Sequence, residues 1–119
     1  MKLIEGENLV CCDVDDTLVM WTDKFRQPHE GAKKFHDPYD DSANYLTPHR
    51  KHIELLKKYK GRGVTVVVWS AAGCKWAESV VKTLGLVEFV DLIMTKPNKI
   101  IDDLPVEAIF STRIYLENK

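Results

Sequence analysis

Cysteine is scarce in this chain and its number is odd: three residues in 119, two of them adjacent at Cys11 and Cys12. That count excludes a disulfide framework and fits a reducing compartment, with the thiols expected as small buried apolar groups. Long apolar runs are missing too. No stretch approaches the roughly 20 residues that cross a bilayer, and no signal-peptide pattern precedes the first apolar run, so a cytoplasmic protein without membrane association is expected. There is no charge excess: 17 basic against 18 acidic residues leave a formal −1, which removes any global attraction to nucleic acid or anionic lipid. Length bounds the rest. A chain of this size builds one core and not two, so residues 1–119 are read as a single domain.

What is present is acid at the ends of apolar runs. Leu9-Val10-Cys11-Cys12 leads directly into Asp13-Val14-Asp15-Asp16-Thr17-Leu18, and Lys99-Ile100-Ile101 leads into Asp102-Asp103. Two unit negative charges ~4 Å apart repel by roughly 4 kcal/mol at an effective dielectric near 20, so such groups gather to bind a cation or to hold a proton. If both runs are strands of one parallel sheet ending on the same rim, the two acidic ends converge on one hard cation, and oxygen donors suit Mg²⁺. A calcium loop of the EF-hand type is disfavoured, since it needs glycine where Leu18 stands and a helix where Leu9–Cys12 stand.

The remaining pattern predicts strands alternating with helices. Thr47 and Pro48 mark a helix start, Ile53, Leu56 and Tyr59 share its inward stripe, and Gly61 and Gly63 stop it. Val64–Trp69 is the strongest strand, β-branched and followed by Ser70-Ala71-Ala72-Gly73. Ala77, Val80, Val81 and Leu84 have helical spacing, with Gly85 as the stop. Asp91–Met94, Lys99–Asp102 and, weakly, Ala108–Phe110 are the further strand candidates. Residues 19–47 show no sustained period and are long for a connection, which marks them as a functional flap. The expected class is α/β, with a mainly parallel sheet and right-handed crossovers. Ligands in such sheets bind beyond the carboxyl ends of the strands, where Asp13, Ser70, Lys96 and Asp102 all fall.

In their order these residues resemble the haloacid dehalogenase-like (HAD) phosphohydrolase superfamily. Asp13-Val14-Asp15-Asp16-Thr17 is similar to its first motif, Ser70 after an apolar strand to its second, Lys96-Pro97 to its third, and Ile100-Ile101-Asp102-Asp103 to its fourth. The resemblance spans residues 9–103 and implies a three-layer Rossmann-like fold of the short, capless type, with residues 19–47 alone available to cover the site. It implies a Mg²⁺-dependent phosphatase: Asp13 as nucleophile forming an aspartyl phosphate, Asp15 as general acid and base, and Thr17 orienting Asp15. Ser70 and Lys96 would hold and neutralise the phosphoryl group, with Thr17 and Trp21 also on the substrate-binding side, and Asp13, Asp15, Asp102 and Asp103 would supply the metal ligands. Lys99 competes with Lys96 for the third role, and either acid of the Asp102-Asp103 pair for direct ligation.

The substrate implied is a phosphorylated small molecule or nucleotide. Relatives acting on nucleic-acid ends often carry arginine soon after the second motif, whereas Ala71-Ala72-Gly73-Cys74 stands here, which disfavours a polynucleotide end. Trp21 and Phe25 are candidates for substrate contact or flap packing, and Trp69 and Trp76 for core or site wall. His49 and His52, with the basic residues between Pro48 and Arg62, are expected on a solvated helix face. Two other readings use the same residues: a phospho-accepting receiver-like signalling domain, disfavoured because Lys96 precedes Asp102, and a catalytically silent binding relative.

Overall fold

The computed structural model describes residues 9–110 and 112–118. Leu9–Asp13 forms β1, which pairs in parallel with β5 (Thr65–Ser70), Val10 opposite Val66 and Asp13 opposite Trp69. On the other side of β5 lies β6 (Leu92–Thr95), also parallel, with Ser70 opposite Thr95. The order is β1-β5-β6, so Asp13, Ser70 and Thr95 end on one carboxyl rim. Between these strands run α1 (Arg50–Gly61) and α2 (Cys74–Thr83). Both crossovers step in the same direction across the sheet, and right-handed connections then place both helices on one face.

Side-chain alternation agrees with that placement. Val66 and Val68 of β5 join the buried cluster with Leu56 and Tyr59 of α1 and Trp76, Ala77, Val80 and Val81 of α2. Val67 and Trp69 point the other way, where the Trp69 ring meets Phe110 edge-on. The α/β class and the parallel sheet are present. A third layer of helices is not completed among the described residues, since the only α-helix after β6 is the four-residue α3 (Val106–Ile109).

Residues 19–47, which show no sustained period in sequence, have regular structure. They form a second, antiparallel sheet of β2 (Val19–Met20), β3 (Lys33–Asp37) and β4 (Ser42–Pro48), in the order β2-β4-β3. In β3 the alternation is hidden in sequence because lysines, His36 and Asp37 surround its one buried position. In β3 only Phe35 is fully buried, and it packs edge-on against Trp76 of α2, with ring centroids 6.5 Å apart. Leu46 of β4 is equally buried. At the hairpin between β3 and β4, Asp41 adopts a left-handed φ of 58°. The hairpin places the Tyr39 hydroxyl where it accepts from Lys75 N–H at 3.2 Å, at the start of α2. Gly73 is required there, because its φ is +113° and a Cβ would lie 2.1 Å from that hydroxyl oxygen.

Three sequence expectations are corrected. Thr47 and Pro48 do not open the helix; both remain in β4, paired with Met20 and Val19, and α1 starts after His49, whose ring nitrogen caps the His52 N–H. Ala108–Phe110 is not a strand, and Ala108 and Ile109 belong to α3. Nor is Lys99–Asp102 a strand; Lys96 to Ala108 are exposed throughout. Only Lys96, Pro97 and Asn98 separate the end of β6 from Lys99. Three extended residues cover about 10 Å, whereas a parallel return must regain the opposite rim of the sheet, a connection of a dozen or more residues.

Because Phe35 ties the antiparallel sheet to α2, the two sheets are expected to unfold together. Phe35→Ala should cost about 3–5 kcal/mol and shift a single denaturation transition. Near-wild-type stability, or separate transitions for the two sheets, would show that residues 19–47 move independently.

Candidate active site

The turn after β1 builds the site. Leu18 and Val19 return their N–H groups to Val14 O, and Asp16 N–H donates to Val19 O, closing a tight loop over the sheet rim. Asp16 takes a left-handed φ of 58°, which Asp tolerates better than most residues, and its carboxylate accepts from Trp21 N–H at 3.0 Å. Asp15 is thereby turned inward over the end of β5.

Asp15 is held from three segments. Its Oδ1 accepts the indole N–H of Trp21 at 2.8 Å and that of Trp76 at 2.9 Å, while Oδ2 faces the Ser70 hydroxyl at 3.3 Å. Trp76 and Ser70 are buried. Indole is a donor only, so Oδ1 is committed as an acceptor twice over. The Ser70 hydroxyl both donates and accepts, and it can rotate. A proton carried by Asp15 therefore sits on Oδ2, which is the atom that can exchange it. Ser70 Oγ also accepts from Ala72 N–H at 3.0 Å, which fixes it at the strand end.

Asp13 is placed differently. By register it shares the face of Trp69, and its carboxylate accepts no hydrogen bond from the described residues. It lines an open groove of about 960 Å³ together with Asp15, Asp16, Thr17 and Lys96. Lys96 is anchored at the rim through its backbone, which donates to Ser70 O at 2.9 Å. Beneath Asp13, the Cys12 thiol is pushed up to about 12 by burial first, and then by the negative charges of Asp13 and Cys11. Cys12 is thus a neutral thiol at ordinary pH.

The structure brings together Asp13, Asp15, Ser70, Lys96, Thr17 and Trp21 at one rim. Thr17 does not orient Asp15; the three donors to that carboxylate are Trp21, Trp76 and Ser70, and Thr17 takes part through its backbone carbonyl, which accepts from His52 Nδ1 at 2.7 Å. Trp21 both borders the site and packs in the antiparallel sheet region, 5.2 Å from Phe25 and 6.2 Å from Trp76 between ring centroids. Lys99 does not line the groove.

Asp102 and Asp103 are not gathered in. They lie on the exposed stretch after β6, where Asp102 accepts from Leu104 N–H at 2.9 Å, a bond that holds its carboxyl below the usual carboxylate range, with help from Asp103. Among the described residues no group of three or more His, Cys, Asp or Glu side chains is placed to hold a metal ion. Of the four carboxylates expected to ligate a metal, Asp13 and Asp15 stand together at this rim, Asp15 engaged by three donors, and Asp102 and Asp103 do not join them in the arrangement described.

Sequence reasoning missed the far wall of the groove. Thr112, Arg113, Ile114 and Tyr115 line it, and the Tyr115 hydroxyl donates to Asp16 O at 2.9 Å. His49 and His52, expected on a solvated face, are buried. No local pattern signals this, because the contacts join segments more than sixty residues apart. No helix among the described residues is long and apolar enough to cross a membrane. In comparisons with known proteins, no family model, no curated protein and no solved structure matches this chain.

The clamp on Asp15 predicts a measurable coupling. Trp76→Phe keeps most of the ring but removes one N–H donor, and should destabilise the fold by about 1–3 kcal/mol. In a double-mutant cycle with Asp15→Ala, most of that loss should vanish in denaturant titrations. Additive losses would show that the indole contributes by packing alone.

Proposed function

We propose that this chain is a phosphomonoester hydrolase of the HAD-like type, working through an aspartyl phosphate on Asp13. The observation that carries the reading is the contrast between two carboxylates at one rim: that of Asp15 is clamped by three donors, while that of Asp13 faces the groove and accepts no hydrogen bond from the described residues. A nucleophile needs an unencumbered oxygen, and a general acid and base needs a fixed position with one exchangeable proton site.

In this scheme an Asp13 oxygen attacks phosphorus and forms the new P–O bond as the ester P–O bond breaks. Asp15 Oδ2 delivers its proton to the departing oxygen, then takes one from the water that attacks the aspartyl phosphate, releasing inorganic phosphate and restoring Asp13. Lys96 neutralises charge on the phosphoryl oxygens, and the Ser70 hydroxyl donates to one of them. The substrate class that suits an open groove with these groups is a phosphorylated small molecule or a nucleotide. A cytoplasmic location belongs to the same reading.

Mg²⁺ belongs to the proposal on the sequence pattern, with Asp102 or Asp103 joining Asp13; no step is derived through it. Asp102 is exposed and bonds locally, so Asp102→Asn leaves the fold intact and reports on that part alone.

With p-nitrophenyl phosphate and Mg²⁺, steady turnover is expected. Asp13→Asn should lower kcat by about 10³-fold or more, Asp15→Asn by about 10²–10⁴-fold and Ser70→Ala by about 10²-fold. EDTA should abolish turnover and Asp102→Asn reduce it. A stable phosphoprotein without turnover would favour the receiver-like reading, and an active Asp13→Asn enzyme would refute the proposed nucleophile.

A further inference from the structure

The segment 112–118 crosses α1 and is fastened there by two imidazoles. His49 and His52 stack with ring centroids 3.6 Å apart and planes 7° from parallel. Each ring nitrogen has one partner. His49 Nδ1 accepts from His52 N–H at 3.1 Å, and His49 Nε2 donates to Leu116 O at 2.8 Å. His52 Nδ1 donates to Thr17 O at 2.7 Å, and His52 Nε2 accepts from Leu116 N–H at 2.8 Å. Both backbone groups of Leu116 are thus held by the pair, and only neutral rings satisfy all four bonds. Asn118 adds a clasp at the start of the helix, its side chain accepting from Arg50 N–H and donating to Pro48 O.

We propose that the His49–His52 pair is a pH-sensitive latch: protonation releases the 112–118 strap and opens the groove beside Asp13 and Asp15. A proton on His52 Nε2 would set N–H against the N–H of Leu116. A proton on His49 Nδ1 would set N–H against that of His52. Charging both rings would stack two cations in contact. Among the described residues, the hydrogen-bond partners of the two rings are backbone groups, with no carboxylate bonded to either imidazole. The strap contributes Arg113, Tyr115 and Glu117, and the Tyr115 ring makes T-shaped contacts with both imidazoles and has the Arg113 guanidinium 5.6 Å from its centroid. The loop after β1 brings Asp15 and Asp16, whose carboxylates are engaged by the tryptophans and Ser70. β1 offers the Cys11 and Cys12 thiols to the same groove, and α1 carries Arg50, Lys51 and Glu54 beside the pair.

The sign follows from linkage. Burial holds His52 below its ordinary 6.5 in the latched state, with His49 adding to the shift and the bond to Thr17 opposing it. A released strap leaves His52 in water near the ordinary value. The released form then binds more protons, so latching is complete above about pH 6.5 and weakens as pH falls below it. For one histidine the loss is at most about tenfold per pH unit. This device is independent of the reaction assigned to the groove.

The test is amide hydrogen exchange of the whole protein between pH 7.5 and 5, with rates corrected for intrinsic pH dependence. The Leu116 amide should lose protection by about tenfold or more over that range while core amides of β5 do not change. His52→Gln should flatten the dependence, since glutamine does not titrate. Should that variant lose the strap at every pH, the wild-type His52 ring-proton titration by NMR is the second measurement, and its midpoint must lie below 6.5 and coincide with loss of Leu116 protection. Unchanged protection to pH 5, an equal pH dependence in a folded His52→Gln protein with an attached strap, or a His52 midpoint at or above 6.5 would overturn the proposal.

Discussion

Three donors from three separate stretches of chain meet on one carboxylate, and that meeting organises the molecule. Trp21 comes from the antiparallel sheet region, Trp76 from α2 and Ser70 from the end of β5, and all point to Asp15. A buried indole N–H without an acceptor costs on the order of 1–3 kcal/mol, so Trp76 can pack where it does only if an acceptor waits there. The tight turn Val14–Val19 supplies it. The same turn that presents Asp15 therefore also completes the core, and Phe35 packing edge-on against Trp76 extends the dependence to β3.

The contrast with Asp13 follows from the geometry of parallel strands. Alternation puts Asp13 and Trp69 on the face away from both helices, while the turn carries Asp15 back over the strand ends toward α2. Two residues apart in sequence, the carboxylates end in different environments, one saturated with donors and one open. Such separation lets neighbouring acids take different roles in one reaction.

Much of the parallel sheet was legible. β1, β5 and β6 were visible as apolar, β-branched runs with punctuation, and α2 as a helical stripe ended by Gly85. The rim residues Asp13, Ser70 and Lys96 followed from strand ends. The antiparallel sheet was not legible, since β3 buries one residue, Phe35, among charged neighbours, β2 is two residues long, and one of the two buried positions of β4 is the polar Asn44. The Lys99–Asp102 run reads as a strand by composition, but the link from β6 is too short to return it to the sheet. Connection length and local propensity conflict there, and the connection decides. The burial of His49 and His52 depends on Leu116, which no window around residue 50 contains.

These elements place one free carboxylate, one clamped carboxylate and one cation at the same rim of the groove. The most direct test of that account is chemical capture of the intermediate. Protein reacting with a phosphomonoester would be quenched with borohydride, which reduces an aspartyl phosphate to homoserine, and mapped by mass spectrometry. Conversion at residue 13 is predicted, with residues 15 and 16 unmodified. Conversion at either of those positions instead, or steady hydrolysis with no residue converted, would contradict it.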